Sequence, residues 1–417
     1  MSVGLSTPTS TAQKAWRVRW ELPLVVWALA FLSAPIHVFG SGMPQPGDLL
    51  MLLAIATIAL SYGARIVYPN RLRPFVGFLV GFATWTALVN LAFAFLLSEP
   101  LMLIPMTYYA YNGIVTLAMV ALFVRHRLSL FMFTSNLALL ALAVYGVLAL
   151  FLFDASSVRQ TGLFNNPNQL AYFALLMASL FFAVPRGIQR PAYQESLVVG
   201  LTLVLITLSV SRAGLMAAVP LLLRVLGGGR RGILVTLLII IILLVTQAAL
   251  PGFSDSLNLR LSHTTSDDER GYERILKFPE YLLLGSGEGA NYRWGTQMEF
   301  HSTFGVLAHS YGIVGSALFA GLVLQSYRIG GIRYFVPMIP ALVYGLTHQG
   351  LRFTELWMVI ALTTLSAHVD NPTRSATTAS AALRILRRVG SKGTTHEPDA
   401  APTSRNPDDM AILPKRR

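Results

Sequence analysis

The sequence predicts an all-α, polytopic membrane protein with about twelve transmembrane helices and one long loop on the outer face. Three observations carry that prediction. The 417 residues are 54% hydrophobic and only 12% charged, with a mean hydropathy of +0.58; a soluble globular chain has roughly 25% charged residues. Apolar stretches long enough, or nearly so, to cross a bilayer follow one another from Leu22 to His368. The basic residues lie between these stretches and form no dense stripe, so the net charge of +13 reads as a topology signal and not as a nucleic-acid surface. With no cysteine, a disulfide framework, a zinc ribbon and a thiol catalyst are all excluded.

The elements follow in order. Residues 1–20 form a short N-terminal arm carrying Lys14, Arg17 and Arg19. The first apolar run is long and lacks a small-residue cleavage site, so no signal peptide is expected. A transmembrane domain over 21–369 then holds runs at about 22–39, 48–62, 75–97, 101–124, 129–153, 168–185, 196–210, 213–226, 232–250, 302–325, 335–347 and 355–369. The second, seventh, eighth and eleventh are short, and the seventh and eighth make a tight hairpin joined at Ser211-Arg212. No inverted repeat of the transporter kind is visible. An outer loop covers 251–301, and a tail over 370–417, rich in Ser, Thr, Ala, Pro and Arg, is expected to be disordered and cytoplasmic.

Counting Lys and Arg sets the orientation. With the N-terminus in the cytoplasm, 15 basic residues fall in inside segments, including Arg186, Arg190, Arg224 and Arg333, and nine more fall in the tail. Eight remain outside: Arg159, Arg212, Arg260, Arg270, Arg274, Lys277, Arg293 and Arg352. The positive-inside rule then fits every short loop and puts both termini in the cytoplasm.

The eight exceptions coincide with the unusual polar residues. Arg159 opens the stretch Thr161-Gly162-Leu163-Phe164-Asn165-Asn166-Pro167-Asn168-Gln169. An Asn cap with Pro at the first helical position accounts for Asn166 and Pro167, but leaves Arg159, Asn168 and Gln169 without a role. Ser209-Val210-Ser211-Arg212 puts an arginine between two short spans, where an anionic partner offsets the cost of its burial. The outer loop holds Asp267-Asp268-Glu269-Arg270 and Arg274, then Gly285-Ser286-Gly287-Glu288-Gly289, a string that marks either a plain turn or a backbone cradle for phosphate. Glu299-Phe300-His301 precedes the tenth run, so His301 sits at a helix start, where the dipole favours a neutral imidazole suited to general base work. His309, deeper in that run, reads as a packing or hydrogen-bonding residue. Arg352 in the last outer loop adds another phosphate contact.

No Walker loop, HExxH or dinucleotide fingerprint is present. The outer face lacks ATP and nucleotide sugars, so an enzyme there needs an energy-rich substrate that arrives in the membrane. A polyprenyl-pyrophosphate-linked sugar is one: arginines stabilise the departing pyrophosphate, and a neutral His accepts the acceptor's proton. Asp267-Asp268-Glu269 is the alternative, as a cation site, but it lacks a clean Asp-x-Asp pattern. Metal-independent chemistry without a cofactor is expected.

The segments T-G-L-F-N-N-P-N-Q-L-A, S-V-S-R-A-G, R-G-Y-E-R-I, G-S-G-E-G and E-F-H-S-T-F-G, over about 130–365, together resemble the O-antigen ligase and polymerase superfamily, most of all its exopolysaccharide and O-antigen polymerases. The resemblance implies a C-type glycosyltransferase-like fold that transfers glycan from undecaprenyl pyrophosphate to an acceptor hydroxyl. It implies His301 as catalytic, with Glu299 beside it, and Arg212, Arg270, Arg274, Arg159 and Arg352 as pyrophosphate ligands. Asn166, Asn168, Ser211 and Gly287 would line the substrate cleft. Ser302 follows the His where ligases usually have Asn, which favours a polymerase. Partners implied are the lipid-linked donor, a glycan acceptor, membrane lipids, a flippase and a chain-length regulator. The rivals are a transporter, which normally keeps ionisable groups at the bilayer midplane, and a non-enzymatic export scaffold.

Overall fold

The computed structural model describes residues 21–39, 44–63, 68–152, 159–226, 232–235, 237–238, 241, 245, 271–295 and 299–371. The chain divides into a unit of Met1–Pro372 and a second of Thr373–Arg417; the arm 1–20, most of the ninth run, residues 251–270 of the outer loop and the tail beyond 371 fall outside the described residues. Every regular element among the described residues is helical.

The helices are α1 (Leu22–Ser33), α2 (Pro46–Tyr62), α3 (Arg73–Leu97), α4 (Ile104–His126), α5 (Leu128–Phe151), α6 (Pro167–Phe182), α7 (Ala192–Leu208) and α8 (Arg212–Leu226). After the outer loop's short α9 (Tyr272–Lys277) come α10 (Gly312–Val323), α11 (Gln325–Gly330), α12 (Ile332–Phe335), α13 (Ile339–Gly345) and α14 (Thr354–Asp370). Among the described residues, four segments are long and apolar enough to cross a membrane: Asn70–Leu97, Pro100–His126, Leu128–Phe151 and Gly312–Gly330. Five shorter apolar helices accompany them.

Local signals explain where helices start and stop. α6 begins on Asn166, whose side chain accepts from the Asn168 N–H at 2.8 Å, with Pro167 at the first position. α2 begins with a reciprocal cap between Gln45 and Asp48. The first apolar run gives a helix only to Ser33, because Pro35 cannot continue it. The tenth run is not one helix. Thr303–Gly305 runs into a π-turn at Val306–Ser310, and α10 starts afresh at Gly312 with φ +65°. A Cβ on Gly312 would lie 2.5 Å from the Leu283 carbonyl oxygen, so the outer loop packs directly into this break.

α6 and α14 form the centre. Every residue from Leu170 to Phe182 and from Glu355 to Ala367 is buried. Peripheral helices turn apolar side chains outward, among them Leu52, Leu60, Leu88, Phe95 and Phe151, an arrangement suited to lipid and costly in water. With 16 residues, α6 separates its two ends by roughly 24 Å. Each end gathers a distinct set of polar residues.

Candidate active site

The first end of α6 collects residues distant in sequence. Arg159 donates from Nε to the Ser209 carbonyl oxygen at 3.1 Å and from Nη2 to Asn168 Oδ1 at 2.8 Å. The Tyr344 hydroxyl, from α13, donates to the Asn168 carbonyl oxygen at 2.5 Å and also meets Ser211. Ser211 is buried and caps α8 by accepting from the Gly214 N–H at 3.2 Å. Arg212 is the first residue of α8 and is half-buried. Between α7 and α8, Val210 has φ +49°, a left-handed conformation that a β-branched side chain rarely adopts. Strain of this kind, about 1–3 kcal/mol, persists where the surroundings over-determine it, and such places cluster at functional sites.

The loop between α13 and α14 links this cluster to a second. The Thr303 N–H donates to the His348 carbonyl oxygen at 3.1 Å, and the Gly350 N–H donates to Thr303 Oγ1 at 2.7 Å. Tyr344 stacks on Tyr172 and on His348. Beyond lies Glu288, which is buried. It accepts from Tyr109 Oη at 2.6 Å, Tyr311 Oη at 2.9 Å, Gln349 Nε2 at 2.7 Å and Arg352 Nη2 at 2.7 Å. Arg352 Nη1 also meets Glu299 Oε2 at 3.0 Å. Burial alone pushes the Glu288 carboxyl up, but the Arg352 charge and the bonds from Tyr109, Arg352 and Gln349 hold it below the ordinary carboxylate value of 4.5.

Four of the glycine string's five amides are spent on the protein: Gly285 N–H donates to Tyr281, Ser286 N–H to His309 and Gly287 N–H to Ser310, each at a carbonyl oxygen, and Glu288 N–H donates to Asn90 Oδ1. Glycine is required because a Cβ on Gly285, at φ +95°, would fall 2.3 Å from the Ser310 carbonyl oxygen. Arg293 fastens the string from the other side, donating to the carbonyl oxygens of Ser286, Gly287, Gly289 and Ala290. His309 is buried under Trp294 and Phe300 with Nδ1 3.1 Å from Ser286 Oγ.

His301 is exposed and immediately precedes Ser302, which caps Thr303–Gly305. Its neighbours tie it to both clusters. Ser302 Oγ donates to the Gly345 carbonyl oxygen at 3.2 Å, next to Tyr344. Phe300 lies under the Arg274 guanidinium at 4.8 Å, and Arg274 is itself buried and bonded to Asn291 Oδ1. Glu299 is half-exposed and held by Arg352. Gly287, Glu288 and Glu299 line one cleft of about 10 Å³, the room of one water. Asn166 and Asn168 stand at the α6 start instead, and Arg270 and Asp267-Asp268-Glu269 lie outside the described residues. Arg352 differs most from expectation. Nε and Nη2 donate to Glu288 and Nη1 meets Glu299, so its charge is already balanced by two carboxylates before any anion arrives.

Sequence reasoning missed the Glu288 network as a unit. Its partners Asn90 and Tyr109 lie within apolar runs, and a buried Asn in such a run was the available signal. Among the described residues no group of three or more His, Cys, Asp and Glu is arranged to hold a metal ion. No protein-family model matches the chain, and no curated protein matches it in sequence.

Proposed function

We propose that the chain is a twelve-span enzyme of the cytoplasmic membrane, with both termini cytoplasmic, that polymerises polyprenyl-pyrophosphate-linked oligosaccharide units at its outer face. One observation supports this above others. Motif residues about fifty positions apart, Arg159, Asn168, Ser209 and Ser211, meet at one end of the bundle, and Tyr344-Gly345 joins them to the Ser302 beside His301. This chain of contacts supports placing the Arg212 helix start and the exposed His301 at the same end of the bundle. On this reading Arg212, together with Arg159 and Arg274, takes the negative charge of the departing polyprenyl pyrophosphate. The acceptor hydroxyl forms the new C–O bond as the anomeric C–O bond to pyrophosphate breaks, and His301 receives the hydroxyl proton. Glu288 and Arg352 hold the rim in shape.

Arg212→Ala tests the reading. The variant should insert and accumulate normally but lose transfer, a deficit of roughly 2–4 kcal/mol in transition-state stabilisation. Arg212→Lys should rescue it poorly, because an ammonium does not reproduce a bidentate guanidinium. Transfer within about threefold of wild type in Arg212→Ala, less than 1 kcal/mol, removes Arg212 from the site.

A further inference from the structure

The other end of α6 carries a site that the proposed reaction does not use. Arg186 and Arg190 from the α6–α7 connection, Arg224 near the end of α8 and Arg333 in α12 line one open cavity of about 190 Å³, with Phe181, Phe182 and Glu195. Four guanidinium groups face a single carboxylate among these lining residues. At roughly 30 Å³ per water, the space holds a phosphate or pyrophosphate group with some hydration.

Arg190 is the decisive member. It is only 9% exposed, and Nη1 donates to Asn136 Oδ1 at 2.8 Å. Its Nε and Nη2 are buried without a hydrogen-bond partner. Those two nitrogens form one edge of the guanidinium, a shape that matches two oxygens of an oxyanion side by side; the edge lies just beneath the cavity wall with no open surface of its own, so an anion meets it once the residues covering it shift. A buried donor pair left unmatched is costly, and native structures rarely keep one without a reason. The group is also held in place: it lies 5.3 Å over the Phe181 ring, and Arg224 lies 4.7 Å over Phe182. Rigid aromatic supports reduce the entropy lost when a ligand binds. Arg186 and Arg333 are exposed and form the rim, where they can close over an anion.

We propose that this cavity binds a phosphate-bearing anion, with Arg190 supplying the bidentate edge and Arg186, Arg224 and Arg333 the surrounding charge. The same chemistry belongs to a lipid headgroup and to a soluble phosphate, and the experiment separates them. Full-length protein in detergent is titrated calorimetrically with inorganic phosphate and with pyrophosphate. In parallel, nanodiscs of phosphatidylglycerol or phosphatidylcholine are compared for lipid retained on extraction, read by native mass spectrometry. The rim variant Arg186→Gln/Arg333→Gln leaves the buried groups in place, so it decides the matter even if Arg190→Gln fails to fold.

A soluble ligand is indicated if the rim variant weakens, by roughly tenfold or more, a phosphate or pyrophosphate binding event that remains in Arg212→Ala. A headgroup is indicated if retained phosphatidylglycerol falls in the rim variant and the soluble anions do not bind. The proposal is overturned if neither probe binds, if the rim variant binds as wild type does, or if only Arg212→Ala loses binding.

Discussion

Replacing Glu288 by Gln removes one charge and little volume, so it isolates the electrostatics of the buried network. Oε2 accepts from Tyr109 and Tyr311, and Oε1 accepts from Gln349 and Arg352. The amide NH₂ of Gln has to face one of these pairs. It will face the tyrosines, whose hydroxyls can turn to accept, because Arg352 cannot accept at all. Two charge-assisted bonds from tyrosine are then lost, Arg352 keeps only a neutral hydrogen bond to the Gln oxygen, and Glu299 is left as its one charged partner among the described residues. Breaking a buried ion pair costs about 3–5 kcal/mol; the surviving Glu299 contact puts Glu288→Gln near 3 kcal/mol. Glu299→Gln, at a half-exposed pair, should cost about 1 kcal/mol or less. Thermal unfolding of the two purified variants in one detergent measures the difference. The sign with pH follows from the lowered carboxyl of Glu288. Its contribution is present above the ordinary value of 4.5 and is lost as pH falls through the lower folded value. Wild type should therefore lose stability below pH 4.5, and Glu288→Gln should lose less of it there. Equal effects of the two substitutions, or an unchanged acid limb, would refute the assignment of Glu288 as the anchor of this end.

Two backbone predictions stand beside it. Gly285→Ala should prevent normal accumulation, since its Cβ meets the Ser310 carbonyl oxygen at 2.3 Å, whereas Gly295→Ala, with nothing within 4 Å, should cost only about 1–2 kcal/mol for its left-handed backbone; expression and melting of both variants check this. Val210→Gly relieves a left-handed valine while removing a buried side chain, so these terms of about 1–2 and 1.5–3 kcal/mol nearly cancel. Val199→Gly, in the middle of α7 with no strain to relieve, should cost about 3 kcal/mol by the same assay.

Local features were legible in the sequence. Asn166-Pro167 marks the start of α6, and Ser211-Arg212 marks the α7–α8 turn, because caps and turns depend on adjacent residues. The break in the tenth run was not legible. It depends on the outer loop, more than twenty residues earlier, packing Leu283 against Gly312. The Glu288 network was hidden for the same reason, with partners as distant as Asn90 and Arg352. Hydropathy shows that Asn90 is anomalous in its run and says nothing of what it meets. The arginine cavity was concealed by a rule that fitted well. Arg186, Arg190, Arg224 and Arg333 satisfied the positive-inside count, and only the fold brings them around one space.

The proposed reaction is glycosyl transfer from a lipid pyrophosphate, with His301 as base. Purified protein incubated with a polyprenyl-pyrophosphate-linked repeat unit in detergent tests it directly, because transport has no meaning there without compartments. Wild type should give a ladder of extended chains with polyprenyl pyrophosphate released for each bond formed, and His301→Ala should lose roughly 10²–10⁴-fold. Absence of any extension by wild type with competent donor units contradicts transfer itself, and normal extension by His301→Ala contradicts the base.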